Sequence, residues 1–144
     1  QSGKAWQMLV TEIGLTIQES QKDESLQPYG KACQEALDRL QKVLQYLQSY
    51  AKKGEVELYM ADANLFMEYC GLLTVSWQWL KQAIIAQQAL RKNGMPEKQR
   101  DFYISKLETM KFYFKYELPK TEALAFSMMH PDKVTIKKER EILM

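Results

Sequence analysis

The sequence predicts an all-α protein, an up-and-down antiparallel four-helix bundle with a kinked last helix and a short C-terminal tail. Three observations carry this. Apolar residues recur at steps of three and four through four long segments, the spacing that places them on one face of a helix. Gly and Pro number only 6 and 4 in 144 residues, too few for the turns of a many-stranded β architecture. The breakers that do occur fall between the segments, so connections are short and neighbouring helices run antiparallel.

The first helix is predicted from about Ser2 to Ser20, where Trp6, Leu9, Val10, Ile13 and Ile17 form a stripe with Gln7, Glu12, Gln18 and Glu19 between them. Gly14 inside it costs about 1 kcal/mol against Ala, which close approach of a neighbouring helix would explain. The second helix, about Leu26 to Lys52, has the cleanest pattern: Leu26, Tyr29, Cys33, Ala36, Leu40, Val43, Leu47 and Tyr50 form a narrow seam. Pro28 suits its first turn, and Lys52-Lys53-Gly54 its end.

An irregular stretch, Gly54 to Met60, leads to a third helix that starts near Asp62 and meets no breaker until Asn93-Gly94. Leu65, Tyr69, Leu72, Ser76, Trp79 and Ala83 form one of its stripes; Phe66, Cys70, Leu73, Trp77, Leu80 and Ile84 form the other, so it needs shelter on more than one side. Pro96 and Glu97 open a fourth helix whose main stripe is Tyr103, Leu107, Met110, Phe114 and Leu118. Phe102, Phe112, Tyr113 and Tyr116 add aromatic area outside that stripe, surface available to another partner. Pro119 kinks this helix, and Thr121, Leu124, Ala125 and Met128 continue the spacing beyond it. The predicted organisation is one domain over residues 1–129 and a charged, partly irregular tail over 130–144, with a short helix near Lys137 to Leu143.

A net charge of +2, with acids and bases interspersed, leaves no cluster of Lys and Arg to neutralise a run of phosphates, which argues against nucleic acid. Cys33 and Cys70 sit among apolar neighbours as free thiols, matching a reducing cytoplasm. No apolar run approaches the roughly 18 residues of a membrane span. The opening Gln1-Ser2-Gly3, without an initiator Met, suggests a piece of a longer polypeptide.

Chemistry is hard to place on this pattern. His130 is the only histidine, lies beside Pro131 in a loop and has no companion at ligand spacing, so a solvated loop residue is its ordinary reading and no metal site is expected. No Ser or Cys has a base nearby, and no Gly-x-Gly-x-x-Gly or phosphate loop is present to cradle a dinucleotide. Asp62, Glu68 and Glu117 border apolar patterns and would titrate high if buried, though caps and salt bridges are the commoner fate. Trp77, Trp79, Phe112 and Tyr116 could line a groove, but aromatic stripes at helical spacing more often serve a core or a subunit interface. No catalytic, cofactor-binding or metal-ligating residue is assigned.

The run Ala61-Asp62-Ala63-Asn64-Leu65-Phe66, then Gly71, then Trp77-Gln78-Trp79-Leu80-Lys81-Gln82-Ala83 resembles the accessory C-terminal helical domain of an acyl-CoA dehydrogenase subgroup that includes 3-methylmercaptopropionyl-CoA dehydrogenase-like enzymes. The resemblance continues through Phe102-Tyr103, Lys106-Leu107, Phe112-Tyr113 and Leu118-Pro119, and covers about Gly3 to Met129. It implies a parent flavoenzyme that holds FAD and performs α,β-dehydrogenation of an acyl-CoA thioester, with the catalytic glutamate and flavin contacts upstream of these residues. It also implies the upstream domains of the same polypeptide as partners and a homo-oligomer. The matching positions are architectural: Gly71 permitting close helix approach, Trp77 and Trp79 filling adjacent faces of the third helix, and Pro119 bending the fourth. Two functions compete on this reading. One is a non-catalytic domain packed on the dehydrogenase body or a subunit interface; the other is a self-contained protein-protein interaction module that offers a groove or the second-helix seam to another helix.

Overall fold

The computed structural model describes residues 2–130, and the expected tail helix near Lys137 lies outside them. Six helices follow one another: α1 (Ser2–Ser20), α2 (Gln27–Lys52), α3 (Val56–Ala61), α4 (Ala63–Leu90), α5 (Glu97–Tyr116) and α6 (Lys120–Met129). The all-helical bundle expected from the periodicity is the fold observed.

The centre is a triangle of α1, α2 and α4, each packed on the other two. Ile13 and Ile17 from α1, Cys33, Ala36, Leu40 and Val43 from α2, and Tyr69, Leu73 and Leu80 from α4 are buried together. Burial of each larger aliphatic chain stabilises the fold by about 1.5–3 kcal/mol before entropy is counted. The three long helices of this triangle alternate in direction. The end of α1 lies beside the end of α4, where the Arg91 guanidinium donates to the Asp23 carboxylate at 2.6 Å, so α1 and α4 run parallel with α2 antiparallel between them.

Glycine closes α2. Gly54 takes φ 76°, and the Glu55 N–H reaches back to the Tyr50 carbonyl at 2.9 Å, satisfying one of the last carbonyls. The stretch expected to be irregular from Gly54 to Met60 instead contains α3. Once Gly54 has turned the chain, Val56–Ala61 winds a turn and a half that lays Tyr59 against the core. Gly94, at φ 80°, performs the same reversal between α4 and α5.

The bend expected at Pro119 takes the form of a three-residue interruption. The Glu117 and Leu118 N–H groups both bond the Tyr113 carbonyl, and Pro119, which has no N–H to continue the ladder, becomes the N-cap of α6. The restarted helix packs on both α2 and α4, whereas α5 lies mainly along α4.

Two glycine expectations are corrected by the packing. A Cβ at Gly14 or at Gly71 would meet nothing within 4 Å, so no helix among the described residues approaches either closely. The close approach is at Gly30, where a Cβ would collide with Ser20 Oγ, itself buried and donating to the Ile17 carbonyl at 2.6 Å.

Candidate functional site

The residues with chemical potential do not converge. His130 is exposed, its Nδ1 2.8 Å from the Phe126 carbonyl and its ring stacked on Phe126 at 4.2 Å. Glu68 is exposed, and Glu117 is paired with Lys120 at 2.8 Å. Asp62 sits at the α3–α4 junction, where its backbone carbonyl accepts the Phe66 N–H at 3.0 Å and its side chain caps nothing. Among the described residues, no three His, Cys, Asp or Glu side chains are placed to share a metal ion. Burial pushes the Cys33 thiol up to about 12 and raises Cys70 as well, so neither is an activated nucleophile.

Two depressions among the described residues lack a cradle for the pyrophosphate of a flavin dinucleotide. An open one of about 800 Å³ lies where α1 ends and α2 begins, lined by Gln18, Gln21, Gln27, Lys31 and Glu35 among others. A pyrophosphate there would find the α2 N-terminus already used. Gln27 N–H donates to the Asp23 carbonyl, Tyr29 and Gly30 N–H to the Leu26 carbonyl, and Pro28 has none to offer. A second cavity, about 130 Å³, is lined by Leu44, Leu47, Tyr59, Met60, Ala63, Phe66 and Met67 and has no charged group.

What the side chains do build is a set of clamps. Trp77, half-buried on α4, donates its indole N–H to Thr16 Oγ1 of α1 at 2.8 Å. Trp79 faces α5, with Lys106 Nζ 5.8 Å from its ring centroid. The two tryptophans thus tie α4 to different neighbours. Tyr29 of α2 meets Phe114 of α5 edge-to-face at 5.5 Å.

A polar knot that sequence spacing did not reveal joins α2, α4 and α6. Tyr69, fully buried, donates its hydroxyl to the Ala36 carbonyl at 2.7 Å. Arg39 donates to Thr121 Oγ1 at 3.1 Å and approaches Tyr69 Oη at 3.4 Å, and Thr121 donates to the Leu118 carbonyl at 2.7 Å. Burial raises the Tyr69 pKa, against the opposing pull of Arg39. The only sequence signal was an Arg one position from the α2 seam. Among the described residues, every buried side-chain nitrogen and oxygen has a hydrogen-bond partner, so the knot is a closed structural unit.

The unspent feature is apolar surface. Met67, Val75 and Ile85 are exposed within one sector of α4, the sector that also holds Gly71, and Met8 and Leu15 are exposed on α1. Phe102, Phe112 and Tyr116 are more than half exposed on α5. The α2 seam, by contrast, is mostly internal: Leu26, Cys33, Ala36, Leu40, Val43 and Leu47 are buried and Tyr29 and Tyr50 partly so, which argues against offering that seam to another helix.

Fold and side chains together define a helical bundle whose interior is closed and whose remaining resource is surface. The chain belongs to the acetyl-CoA dehydrogenase C-terminal-like family, whose model matches residues 9–138. That match runs past Met129, where the sequence resemblance stopped, and into the charged tail. No curated protein and no solved structure gives a match. The family makes the chain a C-terminal domain of an acyl-CoA dehydrogenase-like protein. Among the described residues, no helix is long and apolar enough to cross a membrane.

Proposed function

We propose that this chain is the non-catalytic C-terminal domain of a flavin-dependent acyl-CoA dehydrogenase, in the subgroup that resembles 3-methylmercaptopropionyl-CoA dehydrogenase, and that it packs on the enzyme body or across a subunit interface. The parent removes hydrogen across the α,β bond of an acyl-CoA thioester. FAD and the catalytic base belong to upstream domains of the same polypeptide, and the assembly is a cytoplasmic homo-oligomer. Residues 1–129 form the domain and 130–144 a charged tail.

The observation that carries this reading is the family match over residues 9–138. The physical reading supports it from the other side. The titratable groups lie apart or are neutralised, the cavities offer no phosphate cradle, and several large apolar side chains on α1, α4 and α5 face outward. Contiguous exposed aromatic surface is more characteristic of an interface than of a free face.

Two measurements test the proposal. The 144-residue chain, incubated with FAD and passed through gel filtration, should emerge colourless; retained stoichiometric flavin overturns the cofactor-free reading. In the parent, removal of the segment should weaken assembly or thermal stability. A truncated parent with unchanged assembly, stability and turnover would remove the packing role.

A further inference from the structure

Phe102, Ser105, Thr109, Phe112 and Tyr116 follow one another on α5 at steps of three, four, three and four. They therefore form a ridge nearly parallel to the helix axis, about 21 Å long, with the seam spacing of paired helices. All five are exposed, the three aromatic residues by 54%, 57% and 52%. The hydroxyls within the ridge turn back on their own backbone: Ser105 Oγ donates to the Phe102 carbonyl at 2.6 Å and Thr109 Oγ1 to the Ser105 carbonyl at 2.9 Å. Its middle consequently presents apolar atoms without a polar group that needs an outside partner. Lys98 ends it on the N-terminal side.

Side-chain size runs large, small, small, large, large along the ridge. Turned antiparallel on itself about Thr109, it matches. Phe102 meets the second copy's Tyr116, Ser105 leaves room for the second copy's Phe112, and Thr109 faces Thr109. Parallel pairing in register would instead crowd Phe112 on Phe112 and leave a void at Ser105.

Charge on the flank follows the same symmetry. Asp101, Glu108 and Lys115, spaced by seven, share one exposed side of the ridge. In an antiparallel pair, residues of the same flank face each other, so Asp101 meets the second copy's Lys115 twice over, as a two-fold axis requires. Glu108 would face its own copy near the axis, and each is drawn to Lys111 at 3.0 Å. Among the described residues, neither Asp101 nor Lys115 takes part in an ion pair within the chain.

We propose that α5 is a self-pairing surface and that its partner is a second copy of this chain, docked antiparallel about a two-fold axis at Thr109; this deepens, and rests on, the reading of the chain as a domain that packs across a subunit interface. The test uses sedimentation and disulfide trapping on the 144-residue chain carrying Cys70→Ser. The chain should associate to a dimer. Thr109→Cys should trap it as a disulfide far faster than Ser105→Cys, which faces the second copy's Phe112 and not its own counterpart. Asp101→Lys should weaken the dimer by about tenfold through two surface charge contacts. Adding Lys115→Asp to that variant should restore it.

Circular dichroism confirms that each exposed-site variant keeps its helices. A chain that stays monomeric to about 100 μM, a concentration at which even weak specific pairs show, overturns the proposal. So does a dimer that Thr109→Cys does not trap, or a charge swap that does not rescue. Flavin retention separates this from the underlying reading. A colourless monomer removes self-pairing alone, whereas a chain that holds FAD removes the domain reading whatever its oligomeric state.

Discussion

Helices α2 and α5 are both patterned at three-four spacing, yet they end in opposite situations. The α2 seam is spent inside the molecule, with Cys33 and Val43 fully buried and Leu40 nearly so. On α5 only Met110 and Phe114 are buried, while Phe102, Ile104, Phe112 and Tyr116 face outward. The cause is position: α2 is packed by α1, α3, α4 and α6, whereas α5 lies mainly along α4. Periodicity announces that a face exists. Whether the chain itself supplies the cover depends on how many neighbours the topology gives that helix.

The sharpest way to break this contrast is to probe the α2 seam with a thiol reagent. If the seam is internal, Cys33 reacts only when the bundle opens, and at pH 8 its labelling should be at least about a thousandfold slower than in urea, the protection a marginally stable domain provides. Cys70, half-buried on α4, should react sooner. Alkali sharpens the same point. Burial holds the Cys33 thiol at about 12 against an ordinary 9.0, so the folded state favours the protonated form. Its contribution to stability is complete below about pH 9 and is lost as pH rises from there toward 12. The urea midpoint should fall between pH 8 and pH 10.5, and fall less in Cys33→Ala. Part of the slope should persist in that variant, because burial raises Tyr69 and Tyr113 as well. Rapid native labelling of Cys33 would mean that the α2 core opens locally.

Truncation compares the two helices directly. Leu40→Ala should cost about 3 kcal/mol, the usual loss for a buried leucine whose cavity cannot collapse. Phe112→Ala, measured where the chain is monomeric, should change stability by less than about 0.5 kcal/mol, because the ring is 57% exposed. Chemical denaturation of both variants checks this. Equal losses would show that Phe112 is covered within the monomer and that the α5 ridge is not free.

The long helices were legible because their causes are local. Three-four spacing, Pro28, Gly54 and Gly94 each act within a turn, and the helix bounds follow from them. The outward aromatic surface was legible too, since Phe102, Phe112 and Tyr116 fall outside the stripe of Leu107, Met110 and Phe114. What could not be read were features joined only by the fold. The Arg39, Tyr69 and Thr121 knot links residues as far as 82 apart in sequence, and no spacing rule relates them. Helix α3 is too short to show a period. Gly14 was read as a contact point because helical glycine is costly, and Gly71 through the family resemblance, but the glycine whose Cβ would collide with a neighbour, Gly30, lies in a first turn, where its presence carries little signal.

Gly71 gives the smallest effect, and it turns that misreading to use. It sits mid-helix in α4, exposed, with open space where a Cβ would go. Gly71→Ala should therefore stabilise the isolated chain by about 0.5–1 kcal/mol, the helix-propensity difference with no steric penalty against it. Thermal unfolding reads this gain. The same substitution in the parent then asks why an unconstrained glycine stands there. If the variant domain is more stable and the parent assembles as before, the residue has no packing role. If the gain in the domain comes with weaker assembly, the close approach exists but the approaching element belongs to another domain or subunit. That outcome would make the exposed α4 sector of Met67, Val75 and Ile85 the counterpart of the α5 ridge: a face patterned in this chain and covered from outside it.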